Sequence, residues 1–317
     1  MSDTTRDEMR RALAQWLGEQ SGRPATIGEL RRIATGNSRA MWYLALDDGT
    51  RLVARVEQGG VFGTSGAEEY QFMQAARQLG CPVAAVRWLE PTGDVIGQPF
   101  FVMDYLDGAA TGRDDRTMTP ELADDFVARL HELHTTDWAS ALSATVAAED
   151  ATHAEVDRWL GVYRGAAVLP IPLLEEAAAW LHRHAPPCRS VGIVHGDPGP
   201  GNFVHDGQRV TAFTDWEFTH LGDPTEDWAY LITMRGSRTM GRDEWLALFR
   251  RVAGVEVSAA ELHYWSVFNA FKGACANITC LPAFRTTNPA PNMVLIGTAL
   301  HHTYVRQAAR LIEEGAS

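Results

Sequence analysis

The chain has 317 residues, 45% of them hydrophobic, which suits one large two-lobed domain or two domains around a sizeable core. Its formal net charge is −12 and no basic patch is visible, so nucleic acid is disfavoured as a partner. No run of 18 apolar residues occurs, so neither a membrane-spanning helix nor a membrane partner is expected.

The four cysteines are spread along the chain, with no Cys-x-x-Cys pair among Cys81, Cys188, Cys275 and Cys280. This spacing argues against a disulfide framework or a zinc site and indicates a reducing compartment. The N-terminal residues are charged and lack the apolar segment of a signal peptide. We therefore expect a cytoplasmic protein.

Lysine is nearly absent, since Lys272 is the only one among 28 basic residues. The Walker A phosphate loop requires Gly-Lys-Ser/Thr, so this class of nucleotide site is excluded. A phosphate-binding cation in the first 271 residues must therefore be an arginine. A dinucleotide-binding fold has no support either, because no Gly-x-Gly-x-x-Gly lies between a strand and a helix.

The first third of the chain predicts a small lobe of antiparallel strands. An amphipathic helix at 5–20 comes first, and a second helix at 67–79 ends before Gly80. This lobe is expected to span residues 1–103. Its five strands are predicted at 29–34, 41–46, 51–56, 85–89 and 100–105.

Two parts of this lobe suit nucleotide phosphates. The turn Gly36-Asn37-Ser38 could bind them through backbone N–H groups and the serine hydroxyl, although by itself it is typical of an ordinary hairpin loop. Arg55 lies near the end of the third strand, and Glu69 lies on the buried arc of the next helix. Because a buried carboxylate needs a partner, we expect Glu69 to pair with Arg55. The alternative is a partly exposed Glu69 that the helix dipole favours.

The segment that follows the fifth strand resembles the hinge of protein kinases, whose backbone binds adenine. By position, the carbonyl of Asp104 and the N–H of Leu106, beside Met103, would make these hydrogen bonds. The hinge is expected at residues 104–109, and a mainly helical lobe at residues 110–317.

That second lobe carries several helical patterns and one segment that is hard to place. The segment 137–168 is alanine-rich, and one interpretation is a helix that covers the cleft and sets acceptor specificity. Asn269 and Lys272 lie three residues apart on a nearly all-apolar helix, where they would face the acceptor pocket. The alternative is a lysine that reaches the surface. Helices are predicted at 120–135, 172–184, 242–253, 259–278 and 293–314.

Two neighbouring motifs carry the chemistry: His195-Gly196-Asp197 with Asn202, and then Asp215-Trp216-Glu217. Asp197 can accept a proton from an attacking hydroxyl, and Asn202 and Asp215 supply the oxygen ligands that Mg²⁺ prefers. Protein kinases have the same Asp-x-x-x-x-Asn spacing and a metal-binding aspartate on the next hairpin. A zinc site would require His and Cys instead. The alternative is a Gly/Pro-rich surface loop whose aspartate caps a turn.

A third motif, Gly222-Asp223-Pro224, precedes another predicted helix. Asp223 could cap that helix, with Glu226 at the third helical position as in a capping box. Asp227 could instead point back and hold the catalytic loop. We interpret both aspartates as structural.

With these residues the chain is similar to the aminoglycoside phosphotransferase family, which shares a kinase-like fold with choline kinases. Within that family it most resembles the branch in which a phosphotransferase domain is linked to acyl-CoA dehydrogenases. The resemblance runs from Glu29 to the last helix. It implies an α+β, protein-kinase-like bilobal fold with a small five-stranded antiparallel N-lobe and a larger, mainly helical C-lobe.

The resemblance also implies roles for individual residues. It makes ATP (or GTP) and Mg²⁺ the cofactors, Asp197 the catalytic aspartate, and Asn202 and Asp215 the ligands of the metal. Glu217 would lie close to the metal or the acceptor. Arg55 stands where antibiotic-modifying members carry lysine, and this arginine is usual in the dehydrogenase-linked branch, which weakens an antibiotic-resistance interpretation.

The sequence therefore predicts an ATP-dependent, alternatively GTP-dependent, kinase that phosphorylates a hydroxyl group of a small metabolite. Asp215-Trp216-Glu217 lacks the third-position glycine of protein kinases, which favours an enzyme without an on/off switch. Two alternatives stay open: an antibiotic phosphotransferase for aminoglycosides or macrolides, and a non-catalytic nucleotide-binding protein. The sequence leaves the acceptor and the oligomeric state open. An acyl-CoA acceptor would require basic residues at the cleft rim, for which the candidates are Arg235, Arg238, Arg242 and Lys272.

Overall fold

The first lobe is built on a five-stranded antiparallel sheet. The computed structural model describes residues 3–33, 39–58, 61–110, 118–144 and 146–315. The strands of the sheet are β1 (Ile27–Ile33), β2 (Arg39–Leu46), β3 (Arg51–Glu57), β4 (Val86–Glu90) and β5 (Phe100–Asp104). They lie in the order β1-β2-β3-β5-β4, so the predicted antiparallel lobe is confirmed. Two helices pack on this sheet, α1 (Asp3–Ser21) and α2 (Gly66–Gln78).

The alternation of side chains along β3 decides which residues face which helix. Leu52, Ala54 and Val56 belong to the apolar core that α1 completes. Val53 belongs instead to the core that α2 shares with the larger lobe. Arg55 lies on the same face as Val53, because successive side chains of a strand point to opposite faces. The sheet therefore directs Arg55 toward α2 and the larger lobe.

The larger lobe is mainly helical and surrounds one buried helix, α8 (Ala259–Ile278). Phe268, Phe271 and Cys275 of this helix are fully buried, so the prediction of a core helix is confirmed. The other helices are α3 (Pro120–Thr135), α4 (Ala148–Ala166), α5 (Pro172–His184), α6 (Thr225–Tyr230), α7 (Arg242–Ala253), α9 (Cys280–Thr286), α10 (Pro291–Leu295) and α11 (His301–Gly315). Four of them, α4, α5, α6 and α11, pack against α8.

The predicted helix bounds agree with α3, α5, α7 and α8. The helix predicted at 293–314 is also found, but a π-helical turn at Ile296–Leu300 interrupts its α-helical repeat between α10 and α11. Such a turn inserts an extra residue into the helical repeat, which the spacing of apolar residues does not reveal. The segment 137–168 contains α4, which packs against α8.

Short strands of the larger lobe place the two catalytic motifs side by side. Strand β7 (Gly192–Val194) leads into the first motif and pairs with β10 (His220–Gly222). Strands β8 (Phe203–His205) and β9 (Val210–Phe213) form a hairpin between the motifs, and β6 (Ala109–Ala110) pairs with β8. The N–H of Thr214 donates to the carbonyl of Asn202 at 2.9 Å. This hydrogen bond places the motif that begins at Asp215 beside the loop that carries Asn202.

The two lobes contact each other directly through main-chain hydrogen bonds. Phe213 N–H donates to the carbonyl of Pro82 at 2.8 Å. Phe62 N–H donates to the hydroxyl of Thr279 at 2.8 Å. Within the described ranges, no helix has the length and apolar character needed to cross a bilayer.

Candidate active site

The loop between β7 and β8 carries Asp197 and is held from behind by a buried carboxylate. Asp227 of α6 accepts hydrogen bonds from the backbone N–H groups of His195 and Gly196, each at 2.8 Å. His134 at the end of α3 lies 2.8 Å from the same carboxylate. The predicted role of Asp227 in holding the catalytic loop is therefore confirmed.

The close approach of this loop to the next motif requires glycine. Gly196 has a φ of +81°, in the left-handed region that favours glycine. A Cβ at this position would lie 2.5 Å from the carbonyl oxygen of Phe218. Any larger residue would push the Asp197 loop away from the segment that carries Asp215.

Lys272 supports the same loop from α8. Its ammonium group donates to the carbonyl of Gly196 at 2.7 Å and to the carboxylate of Glu226 at 2.5 Å. Only 3% of Lys272 is exposed, so the alternative of a lysine that reaches the surface is wrong. Lys272 does border the cavity described below, but its cation is bound by the protein.

The capping box predicted for α6 is wrong. Asp223 accepts a hydrogen bond from Thr225 N–H at 2.8 Å near the start of the helix. Glu226 does not reach back to the cap; it turns inward to Lys272, and its other oxygen lies 3.3 Å from His220 Nε2. Burial would raise the pKa of Glu226, but the positive charge of Lys272, with His220, outweighs burial and lowers it.

Asp197 is bound on both carboxylate oxygens. The Nε of Arg235 donates to one oxygen at 2.8 Å, and a second guanidinium nitrogen donates to the other. The Nδ2 of Asn202 donates to the Asp197 carboxylate and to its backbone carbonyl, each at 2.8 Å. Burial would raise the pKa of Asp197, but Arg235, with a hydrogen bond from Tyr230, lowers it below its ordinary value.

Asp215 has a left-handed backbone, with φ +64° and ψ +59°. Non-glycine residues in this region are strained by about 1–3 kcal/mol and cluster at functional sites. The side chain of Asp215 is 37% exposed, and one carboxylate oxygen lies 3.1 Å from Arg55. The next residue, Trp216, is buried and donates from its indole to the carbonyl of Phe213. Glu217 follows on a short 3₁₀ turn, buried, with its carboxylate 3.9 Å from Arg55.

The predicted pair between Arg55 and Glu69 is confirmed. The Nε of Arg55 lies 2.7 Å from the carboxylate of Glu69, and both side chains are buried. Burial opposes the charge on Arg55, but Glu69, Asp215 and Glu217 outweigh it and raise its pKa. A second buried cation, Arg39 at the start of β2, lies 3.8 Å from Glu69, and no local sequence pattern predicts this contact.

Two other sets of residues are predicted to bind the nucleotide: the phosphate turn and the hinge. Gly36, Asn37 and Ser38 lie outside the described residues. Met103 and Asp104 end β5, and Leu106 follows in the connection to the larger lobe. The carboxylate of Asp104 is held by Arg87, with distances of 2.7 and 2.8 Å, so only the backbone of the hinge would be offered to adenine. Adenine binding here stays a prediction.

A cavity of about 190 Å³ opens between these groups and α8. Its polar lining comprises the carboxylates of Asp197, Asp215 and Glu217, the cations of Arg235 and Lys272, and the amides of Asn269 and Asn277. Apolar and aromatic side chains, among them Phe62, Phe218, Met234, Ile296, Leu300 and Tyr304, form much of the rest of the wall. The cavity therefore combines charged and amide groups with an apolar wall.

The family model described as "Phosphotransferase enzyme family" matches residues 29–263, which is most of the chain. The chain belongs to the phosphotransferase enzyme family. It is 28% identical over 238 residues to acyl-CoA dehydrogenase family member 10 of Mus musculus, covering 71% of this chain and 22% of that protein. It is 24% identical over 298 residues to family member 11 of Gallus gallus, covering 84% of this chain and 38% of that protein. The chain thus spans well under half the length of these relatives.

Solved structures show that this phosphotransferase has the kinase-like bilobal fold. A thermostable mutant of aminoglycoside phosphotransferase APH(4)-Ia, in a ternary complex with ADP and hygromycin B, superposes with a TM-score of 0.67 at 16% identity and covers 96% of this chain and 99% of that one. A choline/ethanolamine kinase family protein from Mesorhizobium loti gives a TM-score of 0.64 at 18% identity, covering 98% of each chain. The predicted family and fold are confirmed.

The donor set of this phosphotransferase fits a hard cation that shares its coordination with substrate. Among the described residues, no group of three or more His, Cys, Asp or Glu side chains is arranged to hold a metal. Because the Nδ2 of Asn202 is used on Asp197, the Oδ1 of this amide is left to act as a ligand beside the carboxylate of Asp215. Mg²⁺ is commonly held by one or two protein oxygens and by substrate phosphates, so these residues suit it.

The structure brings together most of the residues singled out in the sequence. Asp197, Asp215 and Glu217 line one cavity, where Asn202 contacts Asp197 and Arg55 contacts Asp215 and Glu217. The pairing of Arg235 with Asp197 was missed, because Arg235 was considered only as a rim residue for an acyl-CoA acceptor. The structure itself marks this residue, because Arg235 ends a π-helical turn at Leu231–Arg235, a feature frequent at functional sites.

Proposed function

We propose that this chain is a Mg²⁺-dependent kinase that transfers the γ-phosphoryl group of ATP, or alternatively GTP, to a hydroxyl group of a small molecule. The observation that carries this proposal is that Asp197, which Asn202 contacts, and Asp215, which Arg55 contacts, line one cavity. Related folds crystallised with ADP or AMP-PNP and hygromycin B support both a nucleotide and a small hydroxylated acceptor.

Each residue then has a distinct role. Arg55, oriented by Glu69, would hold the α- and β-phosphates of the nucleotide. Asn202 and Asp215 would hold Mg²⁺, which neutralises charge on the phosphoryl oxygens when it is bound. Asp197 would bind the acceptor hydroxyl and receive its proton as the bond to phosphorus forms.

The remaining nucleotide contacts are proposed by position. The turn Gly36-Asn37-Ser38 would cover the phosphates, and the backbone of Asp104 and Leu106 beside Met103 would bind adenine. Residues 1–103 then form the nucleotide lobe, 104–109 the hinge and 110–317 the lobe that carries the catalytic loop and the acceptor site.

An antibiotic acceptor is the second candidate, and the cavity makes a polycationic one less favourable. Two cations, Arg235 and Lys272, stand in its lining, and much of the remaining wall is apolar. A site for several ammonium groups would need a wall lined mainly by carboxylates. A non-catalytic nucleotide-binding protein is disfavoured because Asp197, Asn202 and Asp215 are all present, with Asp197 and Asp215 at one cavity.

The proposal is tested by Asp197→Asn, which keeps the shape of the side chain and removes the proton acceptor. Acceptors are found by ADP release in a screen of hydroxy acids, hydroxyacyl-CoAs, amino alcohols and aminoglycosides. We expect acceptor-dependent turnover to fall by about 10²–10⁴-fold, the usual contribution of a general base. Binding of Mg²⁺–ATP, measured by calorimetry, should stay nearly unchanged.

The matched control is Asp206→Asn at the exposed tip of the β8–β9 hairpin, whose carboxylate accepts only from nearby backbone N–H groups of its own turn. It should keep full turnover. Full turnover by the Asp197 variant would disprove the assigned base, and an absence of Mg²⁺–ATP binding in the unmodified protein would disprove the kinase.

A further inference from the structure

Asn269 is a buried polar side chain without a partner. It lies on α8 and is 0% exposed. Neither its amide nitrogen nor its amide oxygen has a hydrogen-bond partner among the residues that the structure describes. An amide removed from water without hydrogen bonds is unfavourable, and most buried polar groups avoid this state. Most of the buried side chains of the helix around it are apolar, so packing alone would favour leucine here.

The position of Asn269 explains what its amide is for. It lines the same cavity as Asp197 and Arg235. Lys272, one turn further along α8, also borders this cavity, but its ammonium group is bound to Gly196 and Glu226. Asn269 is thus a fully buried polar side chain of the α8 wall whose hydrogen-bonding capacity is left for a ligand.

The charged side chains around the cavity indicate which chemical class of acceptor suits it. The guanidinium group of Arg235 already donates to the Asp197 carboxylate and to the carbonyl of Pro200. The ammonium group of Lys272 is likewise bound to Glu226, so both cations of the lining are held by the protein. The amide of Asn269 is matched by a neutral primary carboxamide, which offers both a donor and an acceptor to it.

The apolar wall of the cavity indicates the chemistry of the rest of the ligand, beyond the group that contacts Asn269. Phe218, Met234, Ile296, Leu300 and Tyr304 present carbon and aromatic surface next to the amide. Leu300 is 38% exposed, so the wall opens toward solvent on the side of α11. Burying an apolar body against this surface is favourable.

We propose that Asn269 is the specificity-determining residue for the acceptor and binds a neutral carboxamide group on a molecule with an apolar body. The hydroxyl group of that molecule then points to Asp197. This inference rests on the proposed kinase function and adds the class of acceptor to it.

Three probes that share one hydroxylated aromatic skeleton test the class: mandelamide is neutral, mandelate is anionic, and phenylethanolamine is cationic. With Mg²⁺ and ATP we expect ADP release to be fastest with mandelamide. Equal or faster release with mandelate or phenylethanolamine would overturn the inference.

The variant Asn269→Leu tests the residue. Sites built to hydrogen-bond a substrate discriminate strongly, so the KM for mandelamide should rise about tenfold or more. The KM for ATP should stay unchanged, and the Tm should stay equal or rise, because an unpartnered buried amide is replaced by a side chain of similar volume. A purely structural role predicts the reverse, with a lower Tm and an unchanged KM, and would overturn the inference.

The control is Ser266→Ala on the same helix, whose hydroxyl donates to the Leu262 carbonyl at 2.6 Å. It should leave the KM for mandelamide unchanged. If none of the probes supports ADP release while another acceptor does so in an Asp197-dependent manner, the acceptor class is wrong and the kinase function stands. If no acceptor supports Asp197-dependent ADP release, both the acceptor class and the kinase function are wrong.

Discussion

Asn269 and Lys272 are buried polar side chains of helix α8, three residues apart, that differ in their partners. The ammonium group of Lys272 is bound to Gly196 and Glu226. The amide of Asn269 has no partner in the described part of the chain. One belongs to the region that holds the catalytic loop and the other to the region that receives the acceptor.

This difference in partners indicates separate roles for the catalytic region and the acceptor region. In the catalytic region, hydrogen bonds from α3, α6 and α8 fix the loop before any substrate arrives. Such preorganisation lets groups stabilise developing charge without rearrangement. In the acceptor region, a polar group is satisfied only when the correct molecule binds, which converts an unfavourable burial into selectivity.

The largest effect is expected when Lys272 is changed to methionine. The variant leaves the carboxylate of Glu226 buried with only His220 beside it. Breaking a buried ion pair on one side costs about 3–5 kcal/mol, so the free energy of unfolding, measured with urea, should fall by that amount. Turnover should fall as well, because the Gly196 carbonyl loses its donor.

The double variant Lys272→Met with Glu226→Gln is the matched comparison. Removing both charges should recover much of the lost stability, since the penalty comes from the unpaired carboxylate. A double variant as unstable as the single one would show that packing of the lysine side chain, and not its charge, supports the loop.

A somewhat smaller effect is expected for Asp227→Asn. The amide can no longer accept from both His195 N–H and Gly196 N–H with two equivalent oxygens, and each buried donor left unpaired costs about 1–3 kcal/mol. A displacement of Asp197 of about 1 Å would lower kcat on the order of a hundredfold. Stopped-flow turnover and calorimetric ATP binding separate this loss from a loss of nucleotide affinity.

Asp223→Asn provides the control for that variant. Asp223 accepts from Thr225 N–H at the start of the same helix, outside the catalytic loop. Loss of such a cap costs about 1 kcal/mol and should leave kcat intact. Equal losses of kcat in the two variants would contradict the specific role assigned to Asp227.

The comparison also explains what the sequence could predict. Asp197, Asn202 and Asp215 were found because their spacing is local and the chemistry demands those residue types. The pair of Arg55 and Glu69 followed from a strand and a helix whose periodicities are strong. These features need only short-range patterns and a common fold.

The contacts that could not be predicted from the sequence are those between segments far apart in the chain. Glu226 has the local pattern of a helix cap, but Lys272 reaches it from 46 residues away and turns it inward. Arg235 was recognised only as a basic residue near the cleft, because nothing in its neighbourhood reveals that it meets Asp197. The unpartnered state of Asn269 likewise exists only once the surrounding helices have packed.

The smallest effect on kcat/KM is expected from Arg235→Gln. This variant tests whether Arg235 controls the protonation of Asp197 or only the position of its loop. The pKa of Asp197 lies below its ordinary value of 3.8 because Arg235 outweighs burial. Without the guanidinium group burial is less opposed, so this pKa should rise, and the acid limb of the profile of kcat/KM against pH should move to higher pH. Each 1.4 kcal/mol of lost interaction corresponds to about one pH unit.

The stability of the same variant should change in a matching direction. A carboxyl group whose folded pKa is depressed contributes stability that is present above its unfolded pKa and is lost as pH falls through the folded pKa. The unmodified protein should therefore lose Tm as the pH drops below about 4, and Arg235→Gln should lose less over that range. Arg235→Lys, which keeps the charge without the bidentate contact, should lie between them. If the acid limb of kcat/KM is the same in all three proteins, the ion pair holds the position of Asp197 and does not control its protonation.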